Sequence, residues 1–231
     1  MCNRYGHWAS ISALRARARQ LELDLVIDAG MDNLEPRQNI YSDQDAPILI
    51  NHKGGLKLVS ARWGLPSIPH LHQPVWRVRD EKGRKVSPRN NIRKAGFWSQ
   101  RVPDLMLEAK HRTLIPFSAF AEPVRDSTWY SVPDEEVAFF AGVCMEWTGE
   151  RLMPQPLKKR RVPTPGNWML FSFLTTEANS IVAPVHPDAM PAVLTDPEDC
   201  LEWLAGGERS LGLQRPLPDH QLILSGQDES Q

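Results

Sequence analysis

None of the 231 residues falls in an unbroken run of 18 or more apolar residues, which excludes a membrane-spanning helix. The first residues hold no apolar stretch of the kind a secretory leader needs, so neither a signal peptide nor a lipidated cysteine at position 2 is expected. Cysteine is scarce: Cys2, Cys144 and Cys200 lie far apart, with no CxxC pair. That argues against a disulfide framework or a cysteine-built zinc site and fits a reducing cytoplasm. Cys144 and Cys200 sit among apolar neighbours and read as inert core thiols. Net charge is also missing. With 27 Lys and Arg against 28 Asp and Glu the balance is −1, so whole-chain electrostatics points to no partner. No internal repeat, regular strand–helix–strand alternation or convincing domain boundary is visible.

What is present describes a globular chain: 41% hydrophobic and 24% charged residues, long enough for one large domain with a packed core. Residues 10–24 ("SISALRARARQLELD") place Ile11, Leu14, Ala18 and Leu21 on one face with arginines opposite, as an amphipathic helix requires. Strand-like runs follow at 46–50, 56–63, 113–121, 128–132, 137–147 and 168–176. "TDPEDCLEWLAGG" reads as a helix capped by Asp196, opened by Pro197 and ended by Gly206 or Gly207. Strands dominate, so a mixed α+β domain with antiparallel pairing is expected. Twenty prolines imply many loops, and the tail from residue 216 to 231 reads as disordered.

Charge is uneven locally. From Arg77 to Lys94 eight basic residues stand against Asp80 and Glu81, a local net of +6, and "KKRR" at 158–161 falls between prolines. Such clusters are more often solvated loops than binding surfaces. Two of them in a neutral protein still raise the odds of a polyanion partner.

Five positions carry candidate chemistry. Cys2 follows the initiator methionine, and removal of Met1 leaves an α-amine and a thiol on adjacent carbons, two nucleophiles usable near neutral pH. Position 2 also simply tolerates a small residue. Asn91 and Arg93, two apart, share a face if extended, offering an amide and a guanidinium; on spacing alone a solvated loop accounts for them better. Glu122 closes an apolar strand, where desolvation raises a carboxyl into the proton-transfer range, unless the strand end is exposed. His186 lies in a loop between apolar segments and suits proton shuttling near pH 7, although a lone loop histidine is usually structural. His70 and His72 have no partner acid or cysteine at metal-ligand spacing, so no metal is expected.

The order of these features, in "MCNRY", "ARWGLP" (61–66), "NIR" (91–93), "RTLIPFSAFAEP" (112–123) and "TTEANSIVAPVHPDAMPAVL" (175–194), resembles the SRAP family, the SOS-response-associated peptidase domain. The resemblance runs from residue 2 to about 205. Asn3 stands where the family usually has Gly, Ala95 where it has Glu, and Pro123 replaces the aromatic that commonly follows the catalytic Glu. It implies a single α+β domain over residues 2–215, with mainly antiparallel strands in an open barrel-like core and flanking helices.

The resemblance also implies a sensor of abasic sites in single-stranded DNA, monomeric, cytoplasmic and nucleoid-associated, with no cofactor and no membrane partner. Cys2 would form a thiazolidine with the ring-opened sugar aldehyde, Glu122 would exchange protons with the amine, His186 would assist ring opening and Asn91 would fix Cys2. Arg4, Arg93, Trp63 and Thr176 would bind the DNA. A second reading, an N-terminal-nucleophile amidohydrolase or peptidase using the Cys2 thiol, stays open. So does a DNA-binding module without catalysis.

Overall fold

The computed structural model describes residues 2, 4–68, 71, 89–122, 127–153 and 161–227. Asn3, His70, His72, Pro123, Lys158–Arg160 and most of the basic run from Arg77 lie outside the described residues. In chain order the strands are β1 (Arg4–His7), β2 (Leu25–Ile27), β3 (Arg37–Tyr41), β4 (Asp45–His52), β5 (Gly55–Trp63), β6 (Asn91–Ile92) and β7 (Arg112–Phe117). They continue with β8 (Ala119–Glu122), β9 (Thr128–Ser131), β10 (Ala138–Met153), β11 (Val162–Thr176), β12 (Met190–Pro191), β13 (Val193–Leu194) and β14 (Ile223–Gln227). The helices are α1 (Ile11–Gln20), α2 (Ala95–Ser99), α3 (Pro103–Leu107) and α4 (Pro197–Ala205).

Strands β11, β10, β7, β4 and β5 pair antiparallel in that order, and β5 then meets β11 in parallel, Arg62 opposite Leu170 and Trp63 opposite Phe171. This last pairing closes a five-stranded barrel. A second, wholly antiparallel sheet runs β14-β9-β8-β1-β3. Alternating side chains of the barrel strands feed two apolar clusters: Phe139 and Leu170 join the one packed by α1, α2, α3 and α4, and Phe140 and Phe171 the one shared with the second sheet.

The run 113–121, expected as one strand, is broken at Ser118 into β7 and β8. The Ser118 N–H donates to the Gly6 carbonyl at 2.8 Å and its hydroxyl to the Glu136 carbonyl at 3.2 Å. Those bonds turn the chain out of the barrel and into the second sheet. The break carries Glu122 to the end of β8, beside β1.

Both expected helices form, the second with its expected Asp196 cap and the first with a Ser10 cap. The Ser10 hydroxyl accepts from the Ala13 N–H at 3.1 Å and the Asp196 carboxylate from the Glu198 N–H at 2.7 Å, each satisfying an otherwise orphan donor of a first turn. Helix α1 stops at Gln20, short of residue 24, because Glu22 turns to φ 56°. Gly206 ends α4 at φ 76°, and a methyl there would overlap the Leu107 carbonyl. The fold class is as expected: one α+β domain with mainly antiparallel strands. It differs in two details. The barrel is closed, and the segment after Pro216 is ordered to Gln227, because β14 adds its backbone hydrogen bonds to β9.

Candidate active site around Cys2

Cys2 is fully buried in the cluster between the barrel and the second sheet. It lies two residues before the first residue of β1, whose register puts Arg4 opposite Ala121 and Tyr5 opposite Phe120, so β8 delivers Glu122 to the same end of the sheet. The Cys2 thiol donates to the Arg4 carbonyl at 3.5 Å. Burial, and next the neighbouring Glu122 carboxylate, push that thiol well above its ordinary value. Burial likewise raises the Glu122 carboxyl to about 7. Glu122 Oε1 has no hydrogen-bond partner among the described residues. A buried carboxyl poised near neutrality, with an unused oxygen and a thiol beside it, can both give and take a proton at physiological pH.

Asn91 joins them from the barrel side. Its side-chain amide donates to the Cys2 carbonyl at 2.7 Å, while its Oδ1 is buried and unpartnered among the described residues. Strand β6 holds Asn91 against β11, opposite Phe173. The preceding Asn90 carbonyl is pinned by the Trp63 indole at 2.8 Å and the Ser172 hydroxyl at 2.7 Å.

Trp63 was expected to touch DNA. It has no exposed surface and packs on Tyr5, Phe171 and Phe173, so it cannot stack on a base; its work is to fix the turn that aims Asn91. Thr176 is buried as well, bonded to Glu177 at 3.0 Å and the Gln214 carbonyl at 3.4 Å. Its place is structural, beside a Gln214 side chain that clamps the Ile92 and Thr175 carbonyls at 3.0 and 2.9 Å.

Asn91 and Arg93 do not share a face. Strand β6 ends at Ile92, the chain bends, and Arg93 is exposed while Asn91 is buried. A backbone hydrogen bond and the Thr176 hydroxyl hold the Glu177 carboxyl below its usual range, and Arg93 adds to this. Arg4 lies on the outer face of the second sheet, donating to Asn39 at 2.6 Å and to the Ser127 hydroxyl at 3.1 Å. Half-buried His186 sits in the turn before β12, where its Nδ1 lies 2.8 Å from the Ala189 carbonyl and 3.2 Å from the Ala189 nitrogen. Val182 and Met190 of that turn pack in the Cys2 cluster. The structure thus brings Cys2, Asn91 and Glu122 into one group, with the His186 turn packed against their cluster.

Sequence reading missed Tyr130, whose buried hydroxyl is unpartnered among the described residues and whose ionisation is disfavoured by burial and by Glu122. Its signal was available in β-sheet alternation: Phe120, Glu122 and Tyr130 share a face of β8 and β9. Cys144 and Cys200 are the inert thiols expected, each pushed by burial to about 12. Arg161, the described member of the "KKRR" cluster, pairs with Asp43, which also binds Arg62 at 2.9 Å and Arg151 at 3.0 Å. Among the described residues no group of three His, Cys, Asp or Glu is arranged to hold a metal, and no helix is long and apolar enough to cross a membrane.

Residues 1–224 match the model of the family described as SOS response associated peptidase (SRAP). The chain belongs to that family, which ties it to the DNA-damage response and to a peptidase-like class of activity. A search of curated proteins found no match. Among solved structures it is similar to a protein from Bordetella bronchiseptica at 15% identity and TM-score 0.64, covering 99% of this chain and 100% of the other. A Bacteroides thetaiotaomicron protein is similar at 18% identity and TM-score 0.65, covering 95% and 90% of the two chains. A phage-related protein from Bordetella bronchiseptica follows at 17% identity and TM-score 0.53, covering 96% and 92%. At these identities the likeness concerns the fold.

Proposed function

We propose that the protein, after loss of Met1, captures abasic sites in single-stranded DNA as a thiazolidine on Cys2. The observation that carries this reading is the buried Cys2 thiol beside a Glu122 carboxyl raised to about 7. A thiolate nucleophile is activated by a lowered pKa. Here the thiol is held protonated, so it is suited to act second, after an amine. The Cys2 amine adds to the ring-opened aldehyde of the sugar, and the resulting hydroxyl takes a proton from Glu122 and leaves as water. The thiol sulfur then bonds to the iminium carbon, the C=N electron pair returns to nitrogen, and the thiol proton restores the Glu122 carboxyl. One aldehyde, one amine and one thiol give a five-membered ring and one water.

Asn91 holds the Cys2 carbonyl and so sets the direction of the amine. His186 acts on the sugar ring oxygen to favour the open form. Arg4 and Arg93 bind backbone phosphates on either side of the lesion. The linkage shields the lesion from strand cleavage.

The family's name keeps a peptidase or amidohydrolase in view as the second reading, with the Cys2 thiol attacking an amide. Incubation with single-stranded DNA carrying one abasic site, followed by a denaturing gel, separates them. The proposed function predicts a shifted band that is lost in Cys2→Ala and absent with an undamaged strand. No shifted band, together with Cys2-dependent release of an amine from a peptide or amide, overturns it in favour of the second reading.

A further inference from the structure

The outer face of the second sheet carries an array of rings around a floor of small residues. Arg4, Ala121 and Trp129 lie side by side across β1, β8 and β9, and Tyr41 is opposite Arg4 on β3. With only a methyl at Ala121 between them, the Arg4 guanidinium reaches over to the Trp129 ring, 4.7 Å from its centroid, and lies 5.8 Å from that of Tyr41. One step further along the same face Gly6 is opposite Ala119. The Trp8 ring folds down on Gly6 so closely that a methyl there would overlap it. Trp8 is 43% exposed and Tyr41 37%, and Trp129 is partly exposed. No acidic side chain among the described residues projects from this row of the four strands.

From these observations we infer that the β9-β8-β1-β3 face is a stacking platform for unpaired bases of single-stranded DNA, with Tyr41, Trp129 and Trp8 as the stacking rings and Arg4 as their cation. Flat aromatic rings beside an arginine, with no hydrogen-bond pattern to read a base edge, are the elements of sequence-tolerant single-strand binding. The hydrogen bonds of Arg4 to Asn39 and Ser127 hold its guanidinium in the plane of the array, so little ordering is needed on binding.

The position fits the chemistry behind it. Arg4 is two residues from Cys2, about 7 Å of extended chain, and Trp129 is opposite the residue that precedes Glu122. A strand whose lesion enters between the ends of β1 and β8 would lay its flanking bases on the outside of those same strands. This inference rests on the proposed function for the identity of the strand, but the platform predicts binding of intact DNA whether or not an adduct forms.

The test is affinity for a fluorescent, undamaged single strand, with a duplex of the same sequence as control. Tyr41→Ala and Trp129→Ala should each weaken single-strand binding by about 5-fold or more, leaving duplex binding unchanged, whereas Tyr41→Phe and Trp129→Phe should retain it. Melting curves exclude variants that fail to fold. In the wild-type protein, photocross-linking of a strand carrying 5-iododeoxyuridine should place modified peptides at Trp129, Tyr41 or Trp8. Wild-type affinity in both folded alanine variants, or photocross-links confined to other faces, overturns the platform while leaving adduct formation at Cys2 as a separate result. Absence of the Cys2 adduct with ring-dependent single-strand binding intact would instead reject the proposed function and keep the platform.

Discussion

The side-chain amide of Asn91 donates to the main-chain carbonyl of Cys2 at 2.7 Å, joining β6 at the barrel to the residue that precedes β1 of the second sheet. Because the carbonyl belongs to Cys2 itself, in the proposed reaction the bond would set the direction of the Cys2 amine. Asn91→Ala removes one buried hydrogen bond and leaves an acceptor unsatisfied, at a cost of about 1–3 kcal/mol. The expected result is a single-turnover adduct rate roughly 5- to 100-fold lower at saturating protein, with affinity for an undamaged strand unchanged. Equal losses in both would make Asn91 a general structural residue.

Glu122→Gln keeps the side chain's shape and loses its proton. Adduct formation should slow by about 100-fold or more, within the range for general acid–base catalysis. The wild-type rate should carry an ionisation near pH 7, where burial places this carboxyl, and the Gln variant should lack it. A pH–rate profile identical in the two proteins would assign that proton to another group.

Stability should respond to pH at the same carboxyl. Its folded value, about 7, lies above the ordinary 4.5, so the folded state keeps a proton that the unfolded chain releases. Stability from this group is fullest below pH 4.5 and is lost as pH rises to about 7, by about 3 kcal/mol in all. His7 works in the opposite direction: burial depresses it from 6.5 to about 4, so its contribution is whole above pH 6.5 and fades as pH falls. Glu122→Gln should therefore raise the melting temperature more at pH 8 than at pH 5, and His7→Phe more at pH 5 than at pH 8. Parallel curves for both variants would show that neither group titrates as its burial dictates.

Arg93 is exposed and is proposed to touch phosphate. Arg93→Ala should weaken binding to intact and abasic single strands alike and lower the slope of log affinity against log salt by about 0.7. Saturating protein should restore the wild-type adduct rate. A rate that stays low at saturation would place Arg93 in the chemistry.

The parts of this molecule legible in the sequence are those set by local chemistry. Asp196 and Pro197 announce the start of α4, and the continuous apolar run around Phe139 and Phe140 announces a strand. What local reading cannot see is the switch of sheets at Ser118, because it depends on hydrogen bonds to Gly6 and Glu136, distant in sequence. The same limit explains Trp63 and Thr176. Both were implied only by the resemblance, and the closing of β5 on β11 and the clamp by Gln214 bury them. Cys2, Asn91 and Glu122 were legible as a set through the order of motifs. Tyr130 and the outer array of Arg4, Tyr41 and Trp129 were not, since both arise from cross-strand register.

The central claim is that the two nucleophiles of one residue close on one carbon. Tandem mass spectrometry of the nuclease-trimmed, protease-digested adduct tests it most directly. The account predicts an N-terminal peptide starting at Cys2 that carries the sugar remnant with net loss of one water, stable without a reducing agent. A peptide still bearing Met1, a modified lysine or other side chain, or a linkage that survives only after borohydride trapping would contradict it.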